Sequence, residues 1–172
     1  ISELIQSEKV KIIGSRKEAN EMKNDLLEFE CNGIDARGNF LIKYTGYGED
    51  ISPEFDIKNL SSKAKTIAIT LEDLDHPIKD FTHWVIWNIP AAEIVKEAIS
   101  SDENIKQGIA YGLHRYAGPK PPKRKSHSYK FTLYTLDCAM NSSANIFKKT
   151  FLKNAEEHIL QKGEIIGKFV AE

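Results

Sequence analysis

The 172-residue chain has no long apolar run and no strong excess of charge of either sign. No stretch approaches the ~18 unbroken apolar residues that a transmembrane helix needs, so we expect no transmembrane segment. The 24 lysines and arginines nearly balance the 25 aspartates and glutamates, for a net charge of −1. Proteins whose whole surface attracts nucleic acid are usually strongly basic, so no nucleic-acid partner is expected.

The chain has only two cysteines, and it lacks several well-known catalytic motifs. Cys31 and Cys138 are too few for a disulfide scaffold and lack metal-site spacing; we expect free thiols, with a single bridge as the alternative. The chain has no Gly-x-Ser-x-Gly elbow, no Gly-x-x-x-x-Gly-Lys phosphate loop and no His-x-x-x-His pair. These absences argue against a serine hydrolase and a P-loop enzyme, and they leave no obvious nucleophile.

The chain begins at Ile1, without a methionine and without a recognisable targeting signal. We expect a cytoplasmic protein, with an exported and processed form as the alternative. Residues 1–25 are interpreted as an N-terminal addition, with a short strand at 10–13 and a short charged helix at 15–23. Residues 26–172 are interpreted as a single domain.

From residue 26 onward, short apolar runs bounded by turn residues predict a mainly β domain. Apolar residues alternate through 66–71, 81–89 and 129–136, which is the period of a strand with one buried face. Strict alternation in the second strand puts five side chains on one face: Phe81, His83, Val85, Trp87 and Ile89. Two helices are also predicted, a short one at 92–99 and a longer one at 142–160.

Polar side chains gather where these predicted strands begin and end. Asp73 and Asp75 follow the first strand, His83 opens the second, and His127 and Tyr129 open the third. Carboxylates and imidazoles so placed can share a proton, bind a cation, or direct hydrogen-bond donors at an anion such as a phosphoryl group. The plainer alternatives are a solvated acidic turn and a core histidine. Aspartate and histidine can also bind zinc or iron, but the spacing disfavours it, and we predict no metal and no cofactor.

A proline-rich loop carrying four cations precedes His127. Its cations are Lys120, Lys123, Arg124 and Lys125. Such a run is often only a solvated surface. Beside a pocket, however, it can steer an anionic ligand, an acidic partner or a lipid headgroup by long-range attraction.

An ordered set of short motifs runs from about Leu26 to Phe169. They are Tyr44-Thr45, Ile51-Ser52-Pro53, Asp73-Leu74-Asp75-His76-Pro77, His83-Trp84-Val85-Ile86-Trp87-Asn88-Ile89-Pro90, Tyr116-Ala117-Gly118-Pro119-Lys120-Pro121-Pro122, His127-Ser128-Tyr129, Leu133-Tyr134-Thr135-Leu136-Asp137, His158-Ile159-Leu160 and Gly167-Lys168-Phe169. In this order they resemble the phosphatidylethanolamine-binding protein (PEBP) family, in particular its bacterial and archaeal branch, described as Raf kinase inhibitor-like.

The resemblance implies a β-sandwich-like fold with antiparallel Greek-key-type sheets and a few peripheral helices, one of them near the C-terminus. It also implies a small anion pocket lined by the ligand-binding residues Asp73, His83, His127 and Tyr129. We expect the wall of this pocket to include Asp75, Pro77, Trp84, Gly118, Pro119 and Pro121, and its electrostatic rim to be Lys120, Lys123, Arg124 and Lys125.

The chain departs from the family pattern at four places, so we expect the contacts around the pocket rim to differ from those of the family. Ile57 stands where the family often has tryptophan, Gly108-Ile109-Ala110 replaces the usual Gly-x-Asn, and Ser128 replaces a common arginine. The loop between Pro122 and His127 carries Lys-Arg-Lys-Ser where the family often has a glycine, which affects its shape and ligand preference.

We therefore expect a non-enzymatic protein that binds a small anionic or zwitterionic phosphorylated ligand. Phosphate, a phosphoethanolamine-like headgroup and a phosphorylated residue all fit this description. A role in modulating a kinase or a protease follows from the family analogy alone. The alternative is an enzyme that uses the Asp/His cluster for acid–base chemistry on a phosphorylated or acyl substrate. Peripheral contact with lipid headgroups and assembly as a homodimer are left open.

Overall fold

Two antiparallel β-sheets build most of the structure, a computed structural model that describes residues 25–172. The strands are β1 (Phe29–Cys31), β2 (Phe55–Ile57), β3 (Thr66–Asp73), β4 (Phe81–Pro90), β5 (Ile94–Val95), β6 (Lys106–Gln107), β7 (Ser126–Leu136) and β8 (Ile159–Val170). The small sheet has the order β1-β2-β5 and the large sheet the order β6-β4-β3-β7-β8. The mainly β, antiparallel architecture is confirmed. The strand predicted at 10–13 and the helix at 15–23 lie outside the described residues.

One α-helix and two short 3-10 helices occur among residues 25–172. The helix α1 covers Lys148–Ala155, and the 3-10 helices cover Ile42–Tyr44 and Glu156–His158. The helix near the C-terminus is confirmed, but it is shorter than the predicted 142–160. It begins late because Phe147, at its N-cap, has an extended backbone, and residues from Ile159 onward already belong to β8.

The helix predicted at 92–99 is wrong. Ile94 and Val95 form β5 instead, and they pair with Asp56 and Phe55 of the small sheet. Val95 is buried in the core between the sheets. Burial of these β-branched residues against β2 outweighs the weak local preference for a helix. No helix in the described range is long and apolar enough to span a membrane.

The large sheet has apolar residues on both faces. Its inner face meets the small sheet through Ile67, Ile69 and Leu71 of β3 and Phe131 and Leu133 of β7. Its outer face carries Ala68, Val85, Trp87 and Tyr134, and it packs against Phe151 and Ala155 of α1. The rings of Trp87 and Phe151 stack with centroids 4.7 Å apart. The order of layers is therefore small sheet, large sheet, helix.

Strand β4 does not alternate strictly, because its pairing with β3 shifts twice. The flanking pairs are Leu71–Trp84 and Glu72–Thr82 at one shift, and Ile67–Ile89 and Ile69–Ile86 at the other. Each shift adds one residue to β4. Trp84, Ile86 and Ile89 consequently face the inner core, whereas Val85 and Trp87 face the outer one. The predicted common face of Phe81, His83, Val85, Trp87 and Ile89 is therefore wrong.

Asn88 lies at the second of these bulges and has a left-handed backbone, with φ of 63°. Its side chain holds the backbone of Met140: the amide N of Met140 donates to Oδ1 at 2.7 Å, and Nδ2 donates to the Met140 carbonyl at 2.9 Å. Asparagine tolerates this backbone conformation better than most residues. Asn88 therefore suits the backbone conformation of the bulge, and its side chain anchors the loop that follows β7.

Replacing Asn88 with alanine should lower the free energy of unfolding by about 2–4 kcal/mol. The substitution removes two hydrogen bonds, and alanine is less favourable than asparagine in the left-handed backbone conformation. Asn88→Gly removes the same bonds but suits the backbone, and should cost about 1–2 kcal/mol. Urea unfolding measures both. The exposed Asn154→Ala of α1 is the control, with an expected change within about 0.5 kcal/mol. Equal losses in the alanine and glycine variants would show that backbone conformation plays no part.

Candidate functional site

Asp73 and His127 meet at one end of the large sheet. Asp73 is the last residue of β3, and it pairs with Phe81 on one side and with Tyr129 on the other. Its Oδ2 lies 2.7 Å from Nδ1 of His127. A carboxylate accepts hydrogen bonds, so this ring nitrogen carries the proton and Nε2 is left for a ligand. Asp73 is almost fully buried, whereas the His127 side chain is 15% exposed and reachable from solvent.

His83 is the extra residue of the first bulge in β4, which is how a polar side chain enters this region next to core residues. Its Nδ1 lies 2.8 Å from the carbonyl oxygen of Ala117. That oxygen accepts only, so Nδ1 carries the proton here as well. Burial lowers the pKa of His83 below its ordinary value of 6.5, while the Ala117 carbonyl and the Asp73 charge oppose this shift.

Tyr129 places a hydroxyl beside both imidazoles. Its ring centroid lies 5.5 Å from that of His83 and 6.2 Å from that of His127. The hydroxyl is buried and donates to no acceptor within the described part of the chain, although the backbone amide of Lys120 approaches its oxygen. Burial first, and then the charge of Asp73, raise its pKa well above the ordinary value of 10, although the backbone of Lys120 acts in the opposite direction. This hydroxyl therefore keeps its proton and can donate a hydrogen bond to a ligand.

Asp75 positions the backbone around the cluster. Its Oδ2 accepts a hydrogen bond from the amide of Ser128 at 2.6 Å, and its own amide donates to Oδ1 of Asp73 at 2.9 Å. The two aspartates thus tie the turn after β3 to the start of β7. Pro77 lines a cavity of about 280 Å³ next to this turn, together with Asp73 and His76.

The loop before β7 is fixed to the segment that follows the first 3-10 helix. The amide of Gly118 donates to Oδ1 of Asp50 at 2.6 Å, and a Cβ at Gly118 would lie 2.3 Å from the carbonyl oxygen of Tyr44, so only glycine fits. The carbonyls of Pro119 and Pro121 accept hydrogen bonds from the amide of Gly46 and the hydroxyl of Tyr47, at 2.8 and 2.6 Å. The loop is therefore held in one conformation beside Tyr129.

Trp84, expected on the pocket wall, lies instead in the core between the sheets. Its indole Nε1 donates to Oε1 of Gln107 at 2.7 Å, and its ring meets the edge of Tyr116 at 5.2 Å. The bulge at His83 is the reason, since it sends the neighbouring tryptophan inward.

The four cations expected on the rim are all exposed, and none forms an ion pair with a residue of the described range. The ammonium groups of Lys120 and Lys123 lie 5.6 and 4.2 Å from the ring centroid of Tyr47. Arg124 has a left-handed backbone, and its amide donates to the carbonyl of Ala171 at 2.7 Å. Lys120 and Lys123 thus lie against the face of an aromatic ring. The charged groups of Arg124 and Lys125 form no ion pair or cation–π contact within the described residues.

Three aromatic side chains outside the predicted site lie near His83: Tyr111 and Phe81 contact its ring, and His76 contacts Phe81. Tyr111 lies 5.0 Å from His83 and 5.4 Å from Phe81, and His76 stacks on Phe81 at 3.8 Å. His76 was visible inside the Asp-x-Asp-x-Pro element, but strand periodicity does not predict where loop side chains point. Tyr111 has a left-handed backbone and is 49% exposed, so it covers His83 from the solvent side.

The chain belongs to the phosphatidylethanolamine-binding protein family, whose model matches residues 32–170. It is 35% identical over 133 residues to a UPF0098 protein of Pyrococcus abyssi, covering 73% of this chain and 75% of that protein. It is 31% identical over 147 residues to a UPF0098 protein of Methanothermobacter thermautotrophicus, covering 82% of this chain and 97% of that protein.

Solved structures of the family share the fold. A phosphatidylethanolamine-binding protein homolog from Chlamydia trachomatis superposes with a TM-score of 0.76 at 23% identity, covering 86% of this chain and 99% of that one. YbcL of E. coli, described as a member of the mammalian PEBP family, gives 0.74 at 20% identity and covers 85% and 99%. The β-sandwich-like PEBP fold is thereby confirmed.

Stability should depend on pH through His83. Because burial lowers its pKa in the folded protein, the unfolded chain takes up a proton near pH 6.5 that the folded chain does not. The free energy of unfolding should therefore fall as the pH drops below about 6.5, and it should fall less steeply in His83→Gln. Urea unfolding between about pH 7.5 and 5 measures this difference. His114→Gln controls for the loss of an exposed imidazole, and identical pH profiles for wild type and His83→Gln would contradict the assignment.

Proposed function

We propose that the chain is a non-enzymatic binding protein that takes a phosphoryl or other small anionic group at Asp73, His83, His127 and Tyr129. The observation that carries this proposal is the position of the buried Tyr129 hydroxyl, which donates to no described acceptor and lies beside the Asp73–His127 pair. Its two imidazole neighbours add further polar contacts. Membership of the family supports a binding protein in general.

The protonation of the two histidines defines which ligand suits the site. Both Nδ1 atoms are already engaged, His83 with Ala117 and His127 with Asp73. Each free Nε2 accepts a hydrogen bond when the ring is neutral and donates one when it is charged. An anion without a proton can therefore bind only if an imidazole takes up a proton and donates through Nε2. A phosphate monoanion can instead donate its own P–OH to a neutral Nε2.

The carboxylate of Asp73 repels an anion, but its contact with His127 offsets this effect. A charged His127 next to Asp73 forms a nearly neutral pair that still presents an N–H to the ligand. A zwitterion such as phosphoethanolamine meets both signs, with its phosphate toward the imidazoles and its amine toward the carboxylates.

Binding of inorganic phosphate and of O-phosphoethanolamine should strengthen as the pH falls from about 7.5 to 5.5, because an anion binds at these imidazoles together with a proton and lower pH favours an equilibrium that takes up a proton. Calorimetry in buffers of different ionisation enthalpy should detect proton uptake on binding. No heat of binding for either compound at about 10 mM would overturn the proposal.

Single variants should separate the contributions of the site residues. Tyr129→Phe and His127→Gln should each weaken phosphate binding about tenfold, the loss of one hydrogen bond to a charged group. Tyr134→Phe is the matched control, since Tyr134 lies on the same strand but packs on the outer face of the large sheet. A Tyr129→Phe variant that binds phosphate as tightly as Tyr134→Phe would count against the role of the buried hydroxyl.

The exposed cations of the loop give the proposal an electrostatic component. Replacing Arg124 and Lys125 with glutamine should weaken phosphate binding a few-fold at low ionic strength, and the difference should vanish near 1 M salt, where the Debye length is about 3 Å. Lys153→Gln on α1 removes one exposed charge elsewhere and is the control. The same cations would meet an acidic surface of a kinase or protease, which is the basis for a partner role.

Acid–base catalysis is the second candidate, because the Asp73–His127 pair is a hydrogen-bonded carboxylate and imidazole at 2.7 Å. A turnover of phosphorylated or acyl substrates that is lost in Asp73→Asn while phosphate still binds would favour this function over binding alone.

A further inference from the structure

A second polar cluster lies at the other end of β7. Asp137 and Cys138 directly follow this strand, and His158 directly precedes β8. His127 and Asp137 are ten residues apart along an extended chain, about 30 Å, so this cluster is separate from the one around Asp73. Any role for it is independent of anion binding at the first site.

One donor atom from each of these three side chains lies within 4.8 Å of the other two. The closest pair is Nδ1 of His158 and Oδ1 of Asp137, at 2.9 Å. The side chains of His158 and Asp137 are 43% and 46% exposed, so an ion can reach the cluster from solvent. A tetrahedral zinc ion with bonds of about 2.0–2.3 Å separates its ligand atoms by about 3.5 Å, a spacing that falls within the 4.8 Å over which these donor atoms already cluster.

The backbone that carries the donors is held in place. The amide of Asp137 donates to the carbonyl of His158 at 3.0 Å, and Leu136 pairs with Ile159 just before and after them. The carbonyl of Cys138 accepts a hydrogen bond from the hydroxyl of Thr66 at 2.7 Å. Little of the chain would need to be ordered when a ligand binds, which favours affinity.

We propose that Asp137, Cys138 and His158 form a binding site for a borderline-soft divalent cation such as Zn²⁺. A sulfur, a nitrogen and an oxygen donor suit this class of ion, whereas Mg²⁺ and Ca²⁺ prefer oxygen ligands only. Three protein ligands leave the fourth position to water. The sequence spacing did not reveal the site because His158 lies 21 residues after Asp137 and the β7–β8 pairing brings them together.

Cobalt is the probe of choice, because a thiolate ligand gives bound Co²⁺ an intense charge-transfer band in the near ultraviolet. Metal-free wild-type protein should bind one Co²⁺ per chain with this band, and Zn²⁺ should displace it. Cys138→Ser should abolish the band and weaken Zn²⁺ binding at least tenfold, and His158→Gln should weaken Zn²⁺ binding by a similar factor. Cys31→Ala removes the other, buried thiol and should leave the band unchanged.

Thermal unfolding makes the test independent of spectroscopy. Zn²⁺ should raise the midpoint of the wild type and of Cys31→Ala but not that of Cys138→Ser. The midpoints of the three proteins without metal show separately what each substitution does to stability. Zn²⁺ affinity in Cys138→Ser and His158→Gln equal to that of the wild type would overturn the proposal, as would a thiolate band that follows Cys31. Absence of any Co²⁺ or Zn²⁺ binding to the wild type would overturn it as well.

Discussion

The pairing of β3 with both of its neighbours is the constraint on which the rest of the structure depends. This strand is buried on its two faces and hydrogen-bonded along its two edges. Its inner face builds the core against the small sheet, and its outer face builds the layer beneath α1. A slip of one residue would exchange the two faces. The same register fixes Asp73 between Phe81 and Tyr129, so core packing and the candidate site are determined together.

The chemistry of the candidate site follows from which hydrogen bonds the fold has already used. Ala117 and Asp73 each engage one nitrogen of an imidazole, and Asp75 engages the backbone of Ser128. These contacts fix ring orientation and leave one nitrogen of each ring for a ligand. The Tyr129 hydroxyl is the buried donor there that meets no acceptor in the described protein. Burial of a donor without an acceptor is costly, which is the physical basis for proposing a ligand at this position.

Sequence patterns predicted the parts of this arrangement that depend on regular alternation. Asp73, His127 and Tyr129 lie on strands with unbroken periodicity through this region, and the strand pairing places them side by side. The bulges of β4 could not be predicted, because a bulge changes the parity without leaving a signal in hydrophobicity, and Trp84 was misplaced for that reason. The helix expected at 92–99 failed because tertiary pairing with β2 outweighed local preference. The positions of loop side chains such as Tyr111 could not be predicted, because hydrophobic periodicity reports only on regular strands and helices.

The two polar clusters lie at opposite ends of β7, and the stability of this strand comes from the apolar residues between them. The middle of β7 consists of buried residues, with Phe131 and Leu133 facing inward and Tyr134 facing α1. This apolar centre stabilises the strand whatever its ends bind. Polar residues at strand ends therefore cost little packing, and each end can acquire its own ligand chemistry. The solved structures of the family keep the fold at 20–23% identity, which is consistent with a core that does not depend on the residues at the strand ends.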